Sequence, residues 1–280
     1  MNISNLVDKD KIINEIKCDF TPKINFVDID PLDPLRLGSN SITQVAKPYL
    51  SEYDFEYFNQ DYWKTQIKNW VNGEMFVAVL YAALKNHSAY NTSDIQFMLQ
   101  EMQNEETTHA RLIRAFYIHC FGEEPELKFT MDYHVSPEFA ILIGITTEIF
   151  GTSTLKTFLK LSDSSCFKNR IVKTLLADDT RHEKYTETIS LQVKSLENAT
   201  DDEKRLLQGL IRQESSKGTA DFEYGTWYTF QKHLDDKFDS AMPDILKCQQ
   251  TKLFQDFYKK QVKKWLDRDN NLKLILTPGI

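Results

Sequence analysis

Four stretches of this chain carry an apolar stripe at helical spacing, and a carboxylate breaks each stripe near its middle. The first reads Trp63, Ile67, Trp70, Glu74, Val77, Tyr81, Leu84. The second reads Ile95, Leu99, Met102, Glu106, His109, Ile113, Phe116, Cys120. The third is Ile141, Ile145, Glu148, Thr152, Leu155, Leu159, and the fourth Val172, Leu175, Asp179, His182, Thr186, Ile189, Val193, Leu196. Residues three and four apart share one face of a helix, so each acid is carried into the core with its apolar neighbours. An ionised carboxylate there is costly unless it is paired or binds a cation. No Lys or Arg interrupts the four stripes to act as partner. Such a chain needs a fold in which the four acids meet around something positive.

Two stripes add a histidine one turn after the acid: Glu106 with His109 and Asp179 with His182. With 41 acids and 6 histidines in 280 residues, chance supplies 41 × 6 / 280, or about one, acid-x-x-His pair. The weight therefore rests on where the pairs sit, at the centres of two core stripes. The acids follow one another at 32, 42 and 31 residues (74 to 106, 106 to 148, 148 to 179). The outer intervals suit antiparallel hairpins, and the middle one leaves room for a longer crossover.

Helices are expected at about 61–86, 93–120, 137–161 and 166–196. Ser93-Asp-Ile-Gln96 reads as a capping box for the second, and Ser136-Pro137 as the cap and first position of the third. Residues 1–60, punctuated by Pro22, Pro31, Pro34 and Pro48, read as an irregular arm with one short helix laid over the bundle. Residues 61–280 read as a single domain. Within it, Thr200-Asp-Asp-Glu203 caps a helix running to about His233, and Pro243 opens a last one. The scarcity of Gly (9) and Pro (8) favours long helices over many short strands. Glu105 is expected on a solvated face, as are Glu214, Glu223 and His233, while Asp178, Arg181, Glu183 and Lys184 fall off the fourth stripe.

The net charge of −7 lacks the basic patch that nucleic-acid binding requires. Four scattered cysteines without a C-x-x-C pattern fit a reduced cytoplasmic setting. No signal-peptide pattern opens the chain and no 18-residue apolar run suggests a membrane span.

The order Glu, Glu-x-x-His, Glu, Asp-x-x-His over about residues 61–196 resembles the ferritin-like di-iron carboxylate superfamily. Ala177-Asp-Asp-Thr-Arg-His-Glu183 is most similar to the fourth-helix motif of acyl-carrier-protein desaturases and p-aminobenzoate N-oxygenase-like enzymes. The resemblance implies an all-α, ferritin-like four-helix bundle with additional C-terminal helices. It implies Glu74, Glu106, His109, Glu148, Asp179 and His182 as ligands of two iron ions or a manganese–iron pair. It further implies O2 as co-substrate, electrons from an external reductase, a small or carrier-protein-tethered organic substrate, and a homodimer. Oxidation, oxygenation and desaturation all fall within it. Thr147, Phe150, Thr152 and Phe116 are then candidates for the cavity wall.

Three departures bear on the reaction. Asp179 stands where Glu is usual. Ile113 stands where ribonucleotide reductase small subunits place a radical tyrosine, which counts against radical storage there. Leu175 replaces an extra histidine of the N-oxygenases, which counts against arylamine oxidation.

Three alternatives remain open at this level: a ferroxidase of the same superfamily, a heme-oxygenase-like di-iron oxidase using Asp178 with His182, and a non-enzymatic helical module with structural acids.

Overall fold

The computed structural model describes residues 6–18, 26, 41–128, 135–161, 168–217 and 225–268. Pro22, Pro31, Pro34, Cys166 and Glu223, and the side chain of Glu214, lie outside that set. Among the described residues the fold is all-helical.

Helix α1 (Lys9–Lys17) opens on Asp8, whose side chain accepts the Lys11 amide at 3.1 Å. It lays Ile12 and Ile16 against Met75, Ala78, Val79, Ala82 and Ala110. Helix α2 (Glu52–Lys85) starts nine residues before the expected Asp61, because Ser51 caps it by accepting the Asp54 amide at 3.2 Å. At 34 residues it is about 50 Å long. Helix α3 (Ser93–Phe121) ends where Gly122 takes a left-handed φ of 67°. The expected capping box at Ser93 does not form. Gln96 turns back to donate to the carbonyls of Lys85 (2.8 Å) and Tyr90 (2.6 Å), closing the connection from α2 instead.

Helix α4 (Pro137–Leu161) starts as expected, with Ser136 Oγ accepting the Phe139 amide at 3.3 Å. The predicted fourth helix is subdivided. A π turn at Lys168–Val172 leads into α5 (Lys173–Gln192), and Lys194, with φ of 53°, breaks the run before a short turn, α6 (Ser195–Asn198). Helix α7 (Asp201–Lys217) carries the expected capping box, in which Thr200 and Glu203 exchange bonds at 2.9 and 3.2 Å. The other Glu203 oxygen takes the Ser136 amide at 2.6 Å, tying α7 to the start of α4. Of the long helix expected from Thr200 to about His233, the described residues give α7 and α8 (Gly225–Leu234), and residues 218–224 lie outside them. Pro243 lies inside α9 (Phe238–Lys247), and the last helix, α10 (Gln249–Leu266), is capped by Cys248.

Helices α2 and α3 pack along each other, as do α4 and α5, and α4 also packs on α2 and α10. Helix α4 is apolar on all sides because it is surrounded: Phe139, Ile141, Leu142 and Ile145 are buried in the largest core cluster. Burying each such side chain contributes about 1.5–3 kcal/mol. By length and apolarity α4 could cross a membrane, but 78% of its apolar window is buried inside this fold.

Candidate metal centre

The four stripes converge. Helix α2 brings Glu74, α3 brings Glu106 and His109, α4 brings Glu148, and α5 brings Asp179 and His182, none more than 9% exposed. Their donor atoms form two groups, each within 4.8 Å: Glu74, Glu106 and His109, and Glu106, Glu148, Asp179 and His182. Glu106 belongs to both and occupies the position of a bridge. Both histidines turn Nδ1 inward. His109 Nδ1 lies 3.5 Å from Glu74, 3.7 Å from Glu106 and 3.7 Å from Asp179. His182 Nδ1 lies 2.7 Å from Glu106 and 3.6 Å from Glu148. These contacts are short but not aligned as hydrogen bonds: both Nδ1 atoms and Asp179 Oδ1 are buried without a hydrogen-bond partner among the described residues.

Behind the histidines runs a second layer. His109 Nε2 meets Asp178 at 3.1 Å, and His182 Nε2 meets Glu105 at 2.7 Å. Arg181 donates to both acids, at 2.9 Å to Asp178 and 2.5 Å to Glu105. This corrects the placing of Glu105 on a solvated face. The acids cross over: the one on α3 holds the histidine of α5, and the one on α5 holds the histidine of α3. Such partners orient a ligating imidazole and raise its basicity. Asp178 thus stands behind a histidine, and Asp179 is the member of the inner cluster.

Two further side chains grip the inner carboxylates. The Trp70 indole donates to Glu74 at 2.7 Å, and the Tyr81 hydroxyl donates to Glu148 through a short bond. Two glycines of α4 make room. A Cβ on Gly151 would sit 3.1 Å from Asp179 Oδ2, and one on Gly144 would sit 3.3 Å from the Tyr81 ring.

Burial and the Glu106 charge push Glu74 well above the usual carboxylate range, and burial with Glu106 and Glu148 does the same to Asp179. Burial and Glu106 also raise Glu148, although His182 and Tyr81 hold it back. Burial works against an ionised Glu106 too, but its close contacts with Glu74, His109 and His182 outweigh it and hold Glu106 low. Burial opposes charge on both histidines, yet their carboxylate neighbours win and raise both. Left to itself the cluster offsets its charge by keeping protons. Two divalent cations would offset four carboxylates directly, and the mixture of carboxylate and imidazole donors suits iron or manganese.

A cavity of about 90 Å³ runs along the seam between α2 and α4 and ends on Glu74, Glu106, Glu148 and Asp179. Trp63, Ile67, Trp70, Val77, Phe150, Leu155 and Phe158 make its walls apolar. Of the expected wall residues, Thr147 and Phe150 line it. Thr152 instead bonds Glu183, and Phe116 packs in the cluster around Ile113 and Leu175. His233 lies far off, on Asp61. No protein-family model, curated protein or solved structure matches this chain.

Proposed function

We propose that this protein is a non-heme dimetal oxidoreductase, with two irons or a manganese–iron pair, that uses O2 to oxygenate, oxidise or desaturate a small or carrier-tethered organic substrate. The observation that carries the reading is the set of inward atoms left without a hydrogen bond. His109 Nδ1, His182 Nδ1 and Asp179 Oδ1 lie buried among four carboxylates, without hydrogen-bond partners among the described residues. Buried polar atoms are ordinarily satisfied, and a cation on either side of Glu106 would satisfy all three. The order Glu, Glu-x-x-His, Glu, Asp-x-x-His along α2, α3, α4 and α5 supports the reading, since it differs from the donor set of a ferritin-like dimetal bundle only in Asp179 for Glu.

Iron bound there would supply the electrons that reduce O2, replenished by an external donor. The chain's own part is to hold and orient. Asp178 and Glu105 fix the histidines with Nδ1 inward. Trp70 and Tyr81 fix one oxygen each of Glu74 and Glu148. The apolar seam keeps water from the reacting end of the substrate. That seam also favours an organic substrate over a ferroxidase role, since iron in transit needs polar stations rather than indole and phenyl walls.

The test is anaerobic Fe(II) loading followed by O2, comparing the wild type with Glu106→Ala and Asp179→Ala. Two irons per chain and an O2-dependent optical transient are expected, both lost in the variants. A wild type that takes up neither iron nor manganese would end the reading.

A further inference from the structure

The volume of the cavity beside the carboxylates limits what it holds, and its walls select the chemistry. An apolar protein cavity of about 150 Å³ holds one molecule of benzene. By proportion, the 90 Å³ between α2 and α4 hold about four non-hydrogen atoms. Metal ions among Glu74, Glu106, Glu148 and Asp179 would take up room and add none, so that figure is a ceiling. Close-packed walls do not yield freely to a larger guest. Here the apolar wall is well buried: Trp63, Ile67, Val77, Phe150 and Leu155 are each 6% exposed or less.

Three polar side chains of the wall spend their donors inside the protein. Thr147 Oγ1 donates to the Ile143 carbonyl at 2.9 Å, and Thr154 Oγ1 to the Phe150 carbonyl at 3.1 Å. The Trp70 indole donates to Glu74 at 2.7 Å. None of the three is left to hold an oxygen of a guest, and a buried acceptor without a donor is costly. The charged residues of the lining are four acids, with no Lys, Arg or His among them. An apolar wall gives a charged guest nothing in exchange for its water. Gly73 and Gly151, both half-buried within helices, keep side chains out of the lining next to the carboxylates. Glycine inside a helix is unfavourable and marks a place where space is needed. At Gly151 that space borders Asp179 Oδ2, 3.1 Å from where a Cβ would stand.

We infer that the cavity between α2 and α4 binds an uncharged, apolar organic molecule of no more than about four non-hydrogen atoms, seated against Gly73 and Gly151 beside the carboxylates. Ile67 on α2 and Leu155 on α4, members of one core cluster, set its size limit. The binding claim stands on the cavity; the fate of the guest rests on the proposed oxidation. On that reading the substrate is a small free molecule rather than a carrier-tethered one.

Three guests separate the claims: propane, dimethyl ether (the same shape with oxygen for the central methylene) and benzene. Each is titrated into the full chain as purified, with metal content measured alongside. Binding is read from the NMR shifts of the Ile67, Val77 and Leu155 methyl groups. Propane is expected to bind the wild type and move those methyls. Dimethyl ether is expected to bind at least about tenfold more weakly, since its oxygen exchanges water for no donor. Benzene, comparably apolar but too large, is also expected to bind at least about tenfold more weakly than propane. Leu155→Ala opens the wall and is expected to tighten benzene binding about tenfold or more. Ile67→Ala opens the facing wall and serves as the second variant if the first does not fold. Benzene or dimethyl ether binding the wild type as well as propane does overturns the inference. So does a wild type that ignores propane, or a folded enlarged variant that gains no affinity for benzene. Metal uptake without propane binding defeats this inference alone. Propane binding without metal uptake defeats the proposed function and leaves the cavity assigned.

Discussion

Replacing Asp179 by Asn should make the protein more stable and less able to bind metal. Asp179 is fully enclosed, and burial together with Glu106 and Glu148 raises its affinity for a proton. At 4.8 Å, the outer limit of spacing among the candidate ligand atoms, two like unit charges repel by about 3.5 kcal/mol at an effective dielectric near 20. Proton uptake already relieves part of that. Asn, of nearly the same size, should relieve about 1–2 kcal/mol more in the metal-free protein, or about 2–6 °C in Tm for a chain of this size. A carboxyl whose proton affinity is raised by folding contributes stability that is fully present below its unfolded pKa and is lost as pH rises. The gap between variant and wild type should therefore widen from about pH 4 toward neutrality. Metal reverses the order. A cation at a thousand times its Kd stabilises the wild type by about 4 kcal/mol, and Asn lacks the anionic oxygen that earns a share of it. Melting curves with chelator and with anaerobic Fe(II) or Mn(II) give all four values. A metal-free Asp179→Asn that melts at or below the wild type would refute the reasoning.

The layer behind the histidines predicts that Glu105→Ala and Asp178→Ala each weaken metal binding by about 10–100-fold, read by anaerobic Co(II) titration. Their effects should be less than additive, because Arg181 bonds both acids. Metal affinity should rise with pH, since Glu74, Glu148, Asp179 and both histidines hold protons more tightly than usual and must release them. Titration in buffers of different ionisation enthalpy counts those protons, and no net release would contradict the assignment. Glu203→Ala should cost about 1–2 kcal/mol by freeing the Ser136 and Thr200 amides, seen as a lower Tm with unchanged metal stoichiometry.

The inner cluster was legible because each of its acids is a charged break in an apolar helical line, and a helix core face is a one-dimensional pattern. The second layer was not. Glu105 and Asp178 each precede a histidine by four residues, on its own face of the helix, and Glu-Glu-x-x-His and Asp-Asp-x-x-His form a visible pair of doublets. The bonds run between helices, however, and only the packing of α3 on α5 discloses the exchange. Tyr81 and Trp70 look like packing in the sequence, since a phenol or indole on a core stripe looks apolar until its partner is known. The early start of α2 escaped for a different reason: Phe55, Phe58 and Tyr62 keep helical spacing but lie off the line of Trp63 and Ile67, in a core cluster separate from that of Ile67. Gln96 shows how a local signal yields to tertiary demand, its amide going to the carbonyls that close the preceding helix.

The cavity lining includes the four inner carboxylates but neither histidine nor the acids behind them, and this separates two kinds of heritable change. Ile67, Phe150, Thr154 and Leu155 shape the space between α2 and α4 without being among the candidate ligands. Substitutions there can lengthen, narrow or re-aim the cavity while Glu105 and Asp178 go on holding both imidazoles. On the proposed reading, a lineage built on this scaffold could change what the cavity accepts by small steps that leave every candidate metal ligand in place.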